Sequence, residues 1–146
     1  MPKRKNINRK IQPREKSAAT PVARSESFYS KTPSWCFSRA DTGGKWPLCS
    51  LEPNVLQHLR GLEGKTWQEI LVTNKKQNHL IKFENMIKDA QDRVLQCQYD
   101  RFANDGFYSL RIDGTHRLWG IIQDGVYYII WDDPCHEVCP SNLKHT

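Results

Sequence analysis

The stretch Phe107 to Cys139 constrains the fold more than any other. Three runs with strand alternation are separated there by two tight-turn signals, Asp113-Gly114-Thr115 and Asp124-Gly125. Asp-Gly between alternating apolar residues is a two-residue hairpin signal, and it pairs Gln123 with Val126. For the first turn, the hydrophobic pattern chooses between two registers. A three-residue turn sets Arg111 opposite Arg117 and Ser109 opposite Trp119, and it leaves Tyr108, Leu110, Ile112, Leu118 and Ile122 together on the other side. A two-residue turn mixes Arg117 with Leu110 and Ile112, so the first register is expected. Tyr127, Ile129 and Trp131 then join the Leu118 side. Arg111, Arg117, Trp119, Ile121, Tyr128, Ile130 and Asp132 share the opposite face. That face mixes two cations with exposed aromatic and apolar groups, the composition of an RNA-stacking or partner-binding surface. Trp119 is its stacking candidate, and Trp131 is expected in the core.

Upstream, Trp35 and Phe37 alternate with Cys36 and Ser38, a short strand ended by Asp41-Thr42-Gly43-Gly44. Ser50 and Pro53 open a helix with Leu51, Val55, Leu59 and Leu62 at helical spacing, punctuated by Gly61 and Gly64. Thr66-x-x-Glu69 is a capping box that starts a short helix ending near Thr73. Thr73 to Leu80 is polar, carries Lys75 and Lys76, and reads as an exposed loop. Phe83, Ile87, Ala90, Val94 and Cys97 make the apolar stripe of the longest helix. The expected fold is α+β: a small antiparallel sheet built from one N-terminal strand and the C-terminal three-stranded meander, with helices packed on one face.

The net charge of +6 is concentrated at one end. Residues 1–33 hold nine Lys/Arg against two Glu, so the other 113 residues sum to −1. The first 33 residues are too poor in apolar side chains to offset their ordering entropy, so they read as a disordered basic tail ahead of a single domain over residues 34–146. Such an arm binds polyanions by counterion release, which makes nucleic acid or the ribosome its natural partner; plain solubilisation is the alternative. The arm also has some features of an organellar transit peptide. No apolar run approaches the ~20 residues of a membrane span. No membrane association is therefore expected, and five scattered cysteines suit a reducing, cytoplasmic setting. Cys135-His136-x-x-Cys139, with His145 nearby, has metal-ligand residue types, but the spacing lacks a second ligand pair. No metal or other cofactor is expected.

The segment "FYSLRIDGTHRLWGIIQDGVYYIIWDDPCHEVCPS" resembles the RelE/ParE superfamily of toxin-antitoxin toxins: a strand with Leu-Arg, a turn, an Arg-bearing strand, an acidic-Gly turn, an apolar strand and a closing segment with His. The resemblance covers approximately residues 35–145. It implies a small α+β domain whose open sheet face reads messenger RNA in the ribosome, with RNA cleavage in one branch and gyrase inhibition in the other, and with an antitoxin-like protein partner. It assigns Arg117 to the arginine that stabilises the cleaved phosphate, Arg111 to the basic residue on the preceding strand, and His136 to the acid/base position. Lys144 and His145 fall where relatives place further basic or imidazole groups that contact substrate.

The chemistry is coherent on its own terms. Metal-independent RNA cleavage uses the 2′-hydroxyl as nucleophile, so a site has to take its proton, neutralise charge on the phosphate and protonate the departing 5′ oxygen. Imidazole serves at either proton transfer, and a planar guanidinium donates two hydrogen bonds to phosphate oxygens. Each residue also has a structural reading. Arg117 can pair with Asp132 across the hairpin, His136 can cap the Asp-Asp-Pro-Cys turn, and His116 at a turn tip reads as solvated. Glu137 is a less favoured orienting group for His136. Asp132 and Asp133 beside the site repel phosphate unless the arginines pair with them. The chain is therefore expected to be a toxin-like endoribonuclease, or else a non-catalytic protein- or nucleic-acid-binding module using the Trp119/Ile130 face.

Overall fold

In the computed structural model, which describes residues 27–140, five strands form one open sheet: β1 (Ser34–Cys36), β2 (Asn78–Lys82), β3 (Gly106–Asp113), β4 (His116–Gln123) and β5 (Val126–Asp133). Their spatial order is β1-β5-β4-β3-β2; β1 lies parallel to β5 and every other pair is antiparallel. The sheet is thus mostly antiparallel in an α+β arrangement. It has one strand more than the alternation predicts, because β2 occupies the segment read as an exposed loop. Asn78 explains how a polar stretch becomes an edge strand. Buried at its start, it donates to the Ile70 carbonyl (3.2 Å) and accepts from the Arg111 amide (3.0 Å), fastening β2 to β3.

The meander has the expected Asp124-Gly125 turn, but the β3–β4 turn is two residues, Gly114-Thr115, and not the expected three. Asp124 and Gly125 both have positive φ (54° and 87°), the pair of left-handed residues that a two-residue hairpin of this twist requires, and Gln123 faces Val126. Arg111 faces Arg117 and Ser109 faces Trp119, as the hydrophobic pattern dictates. The β3–β4 register is reached through an irregularity between Arg111 and Asp113, with Asp113 facing His116.

One expectation about β5 fails. Gly120 faces Ile129 while its neighbour Trp119 faces Trp131, so Ile130 is an extra residue on β5. A bulge of this kind shifts the alternation by one. Trp131 therefore moves to the Trp119 side, Asp133 rather than Asp132 sits opposite Arg117, and Asp132 lies opposite Leu118. Gly120 permits the close approach at this point: a Cβ there would lie 2.1 Å from the Tyr128 carbonyl oxygen.

Helices cover both faces of the sheet, not one. Helix α1 (Pro53–Leu62) starts with proline at its first position and turns Val55, Leu59 and Leu62 onto Leu110, Leu118, Tyr127 and Ile129. The π-helical turn Gln68–Thr73 packs on the same side. Its capping box is realised reciprocally, with Thr66 N–H donating to Glu69 Oε1 (2.9 Å) and Glu69 N–H to Thr66 Oγ1 (3.3 Å). On the other side, α2 (Lys88–Gln96) buries Ala90 and Val94 against Phe107, Trp119, Ile121, Ile130 and Trp131. The predicted longer helix is broken at its start, where Phe83–Asn85 is a separate 3₁₀ turn. Both faces of the sheet are rich in large apolar groups, so both need cover.

The folded body also begins earlier than residue 34. Phe28 packs edge-on against Trp67 and Tyr108, the Lys31 carbonyl accepts from Trp67 N–H (2.9 Å), and Lys31 pairs with Asp124. Most of the basic arm, residues 1–26, lies outside the described residues.

Candidate active site

Cross-strand pairing places a row of side chains across one face of the sheet: His79 on β2, Ser109 on β3, Trp119 on β4 and Trp131 on β5. The next row towards the β3–β4 turn is Arg111, Arg117 and Asp133. Directly opposed residues share a face, so the two arginines and Asp133 project to the same side as Trp119.

Asp133 organises the segment that follows β5. Completely buried, it accepts at Oδ1 from the Glu137 amide (2.8 Å) and at Oδ2 from the Val138 amide (3.0 Å) and from Trp119 Nε1 (3.1 Å). Those bonds fold residues 134–138 back over the sheet. Two further ties hold the segment in place. Thr115 Oγ1 donates to the Pro134 carbonyl (2.7 Å), and the Val138 carbonyl accepts from Ile87 N–H at the start of α2 (2.9 Å). His136 sits at the turn of this segment in the left-handed region (φ 57°). The neighbouring Glu137 carboxylate accepts from Trp46 Nε1 (3.1 Å).

These elements enclose a cavity of about 90 Å³. Arg117 and His136 line it together with His79, Lys76 and Gln77 from β2 and the residues before it. Ser109, Trp119, Ile81 and Cys139 complete the wall. Among the described residues, the lining carries two cations and two imidazoles, and no carboxylate. Arg117 is half-buried and donates to the Gly114 carbonyl (2.8 Å) and the His116 carbonyl (3.3 Å). Burial and the neighbouring Arg111 charge lower its pKa, and Asp133 opposes that shift. A guanidinium remains charged throughout the physiological range all the same.

The two aspartates that threatened phosphate repulsion are neutralised locally, although not by the arginines as expected. Asp133 turns inward as described. Asp132 accepts from His116 Nε2, and His116 is buried in that pair rather than solvated at a turn tip. The cross-strand ion pair of Arg117 with Asp132 does not form, since the bulge puts Asp132 on the other face.

Of the predicted residues, the fold brings Arg117 and His136 to one cavity. Arg111 is adjacent to Arg117 across the strand pair but does not line the cavity. Trp119 is not an exposed stacking platform: only 1% accessible, it forms part of the cavity wall beneath α2 and the 134–138 segment. Ile130 is fully buried as well, so the Trp119/Ile130 face is not a docking surface. Lys144 and His145 lie outside the described residues. Sequence reading missed His79 and Lys76, whose segment passed for a loop; Asn78-His79-Leu80-Ile81-Lys82 has no polar/apolar alternation that would have marked a strand. Among the described residues, no cluster of three or more His, Cys, Asp or Glu side chains is arranged to hold a metal ion. A larger cleft of about 190 Å³ beside Phe28, Phe102 and Tyr108 has no histidine, lysine or arginine among the described residues of its lining.

No family model matches this chain, and no match is found among curated proteins or solved structures.

Proposed function

We propose that this protein is a metal-independent endoribonuclease of the RelE/ParE kind, acting on messenger RNA in the cytoplasm, with the Arg117/His136 cavity as its site. The observation that carries the reading is the convergence of a guanidinium from β4 and an imidazole from the segment after β5 on one cavity that has no carboxylate among the described residues of its lining. A site of this composition attracts a phosphodiester and supplies both a charge clamp and a proton carrier. Arg117 is the clamp, with Arg111 adding positive potential from the neighbouring strand and Lys76 closing the rim. His136 protonates the departing 5′ oxygen. Ribosome-bound messenger is the preferred form of substrate, and an acidic antitoxin-like protein is the expected partner of the cationic cavity.

The test is cleavage of end-labelled RNA, both naked and as messenger on ribosomes, with a chelator present. His136→Ala is expected to slow cleavage ~100-fold or more, the usual contribution of a positioned proton donor. Arg117→Ala should slow it by about 10²–10³-fold, the loss typical of one charge-stabilising donor. Failure of the wild type to cut either substrate overturns the reading. Retention of RNA binding without cutting identifies a non-catalytic binding module instead.

A further inference from the structure

We infer that His79 is the second proton-transfer residue of the cavity, the base that activates the 2′-hydroxyl, working against His136 as the acid; this rests on the endoribonuclease reading above. His79 comes from edge strand β2, and His136 from the segment beyond β5, so β3 and β4 lie between their attachment points in the sheet. Both line the same cavity with Arg117 and Lys76. Displacement at phosphorus needs one group to remove a proton on the attacking side and another to deliver one on the leaving side. Two imidazoles carried by separate elements around a cationic cavity meet that need.

The protonation pattern of His79 follows from its surroundings. Nδ1 lies 2.9 Å from the Lys75 carbonyl oxygen, which can only accept, so Nδ1 carries the hydrogen. In the neutral ring, Nε2 is then the nitrogen with the lone pair, the form a base requires. This orientation is built into the chain. Lys75 is four residues upstream, and the connecting turn is pinned by Asn78, itself only 6% accessible and bonded to both the π-helical turn and β3. Ser109, opposite His79, presents a hydroxyl to the same space. Among the described residues, the other charged and titratable groups lining the cavity are Lys76, Arg117, His136 and Cys139.

In the reaction, Nε2 of His79 takes the 2′-hydroxyl proton as the 2′ oxygen forms a bond to phosphorus. The bond from phosphorus to the 5′ oxygen breaks, and protonated His136 gives its proton to that oxygen. The products are a 2′,3′-cyclic phosphate and a 5′-hydroxyl. No water or oxidant is consumed, and the two imidazoles return to their starting states by proton exchange with solvent.

The experiment uses the full chain on whichever substrate the wild type cuts, with a single ribonucleotide at the cleavage position and, in a second version, sulfur replacing its bridging 5′ oxygen. A thiolate leaves without protonation, so the sulfur substrate should restore most of the activity lost in His136→Ala and none of that lost in His79→Ala. His79→Ala is expected to lower kcat/KM about 100-fold on the oxygen substrate. It should also abolish the acidic limb of the pH profile. His79→Asn, which keeps a donor for the Lys75 carbonyl but has no basic nitrogen, should behave like His79→Ala while its thermal midpoint stays near that of the wild type. Activity of either variant within threefold of wild type, or recovery of His79→Ala on the sulfur substrate, overturns the assignment while leaving the nuclease standing. No cleavage by the wild type overturns both.

Discussion

Asp133→Ala is expected to lower the thermal midpoint by about 15 °C, the largest effect of any single substitution near the cavity. Its carboxylate is completely buried and satisfies three donors at once, the Glu137 and Val138 amides and the Trp119 indole. Each donor left unpaired in the interior costs ~1–3 kcal/mol, so the total loss is about 4 kcal/mol even if water reaches one of them. At roughly 4 °C per kcal/mol for a chain of this size, that gives the stated shift. It is also a large share of the ~5–15 kcal/mol that holds a typical domain together. Asp133→Asn should be only slightly milder, because its amide nitrogen points a donor at donors. Thermal unfolding followed by circular dichroism measures both variants. A shift below 4 °C in Asp133→Ala would show that the 134–138 segment does not depend on this carboxylate. Since the same segment carries His136, residual activity at low temperature should fall as well.

The second large effect lies on the far side of the same core. Asp41 is buried and makes a two-pronged pair with Arg93 (2.8 Å to each oxygen), while also accepting from Trp131 Nε1 (2.9 Å) and Gly43 N–H (3.0 Å). Removing one partner of such a pair strands the other, and Asp41→Ala is expected to cost about 3–5 kcal/mol. Arg93→Met should cost at least as much, because it strands the Asp41 carboxylate, which has almost no contact with solvent, whereas the Arg93 side chain stranded by Asp41→Ala retains some. Burial by itself raises the Asp41 pKa, but the bonds from Arg93, Trp131 and Gly43 outweigh it and hold the carboxyl below its ordinary value. The unfolded chain therefore takes up the proton before the folded one does as pH falls. The contribution of this residue is complete above the unfolded value of ~3.9 and disappears as pH drops through the lower folded value. Denaturant titrations from pH 6 to pH 2 should show a flatter acid dependence in Asp41→Asn than in the wild type. Parallel curves would exclude the pair as the source.

The chain announces part of this arrangement and conceals the rest for identifiable reasons. Arg111 and Arg117 are legible as partners because a one-residue slip would put charge among Leu110, Ile112 and Leu118. The bulge at Ile130 gives no such warning. Ile129, Ile130 and Trp131 are all apolar, so shifting the alternation there changes no hydrophobic match, and only the fates of Trp131, Asp132 and Asp133 reveal it. Trp119 read as a surface ring for a different reason. Its neighbours on that face are covered by α2, whose own stripe was legible but whose side of the sheet was not. Strand β2 was hidden by composition, since an edge strand held by a buried asparagine needs little apolar periodicity. His79 stayed out of view with it, and half of the proposed proton-transfer pair went unread.

The parallel pairing of β1 with β5 has a mechanical consequence. Ser34 starts β1 beside the Asp124-Gly125 turn, and Lys31 grips that turn through Asp124, whereas the cavity lies at the opposite end of the sheet beside Gly114. The eight residues of β5 separate these two poles by about 25 Å. Residues 1–26, with their eight lysines and arginines, join the described residues near the pole remote from the proposed site. Replacing those lysines and arginines with glutamine should weaken capture of long transcripts and flatten its dependence on ionic strength. A dinucleotide, too short to bridge the poles, should be turned over by that variant as fast as by the unaltered protein.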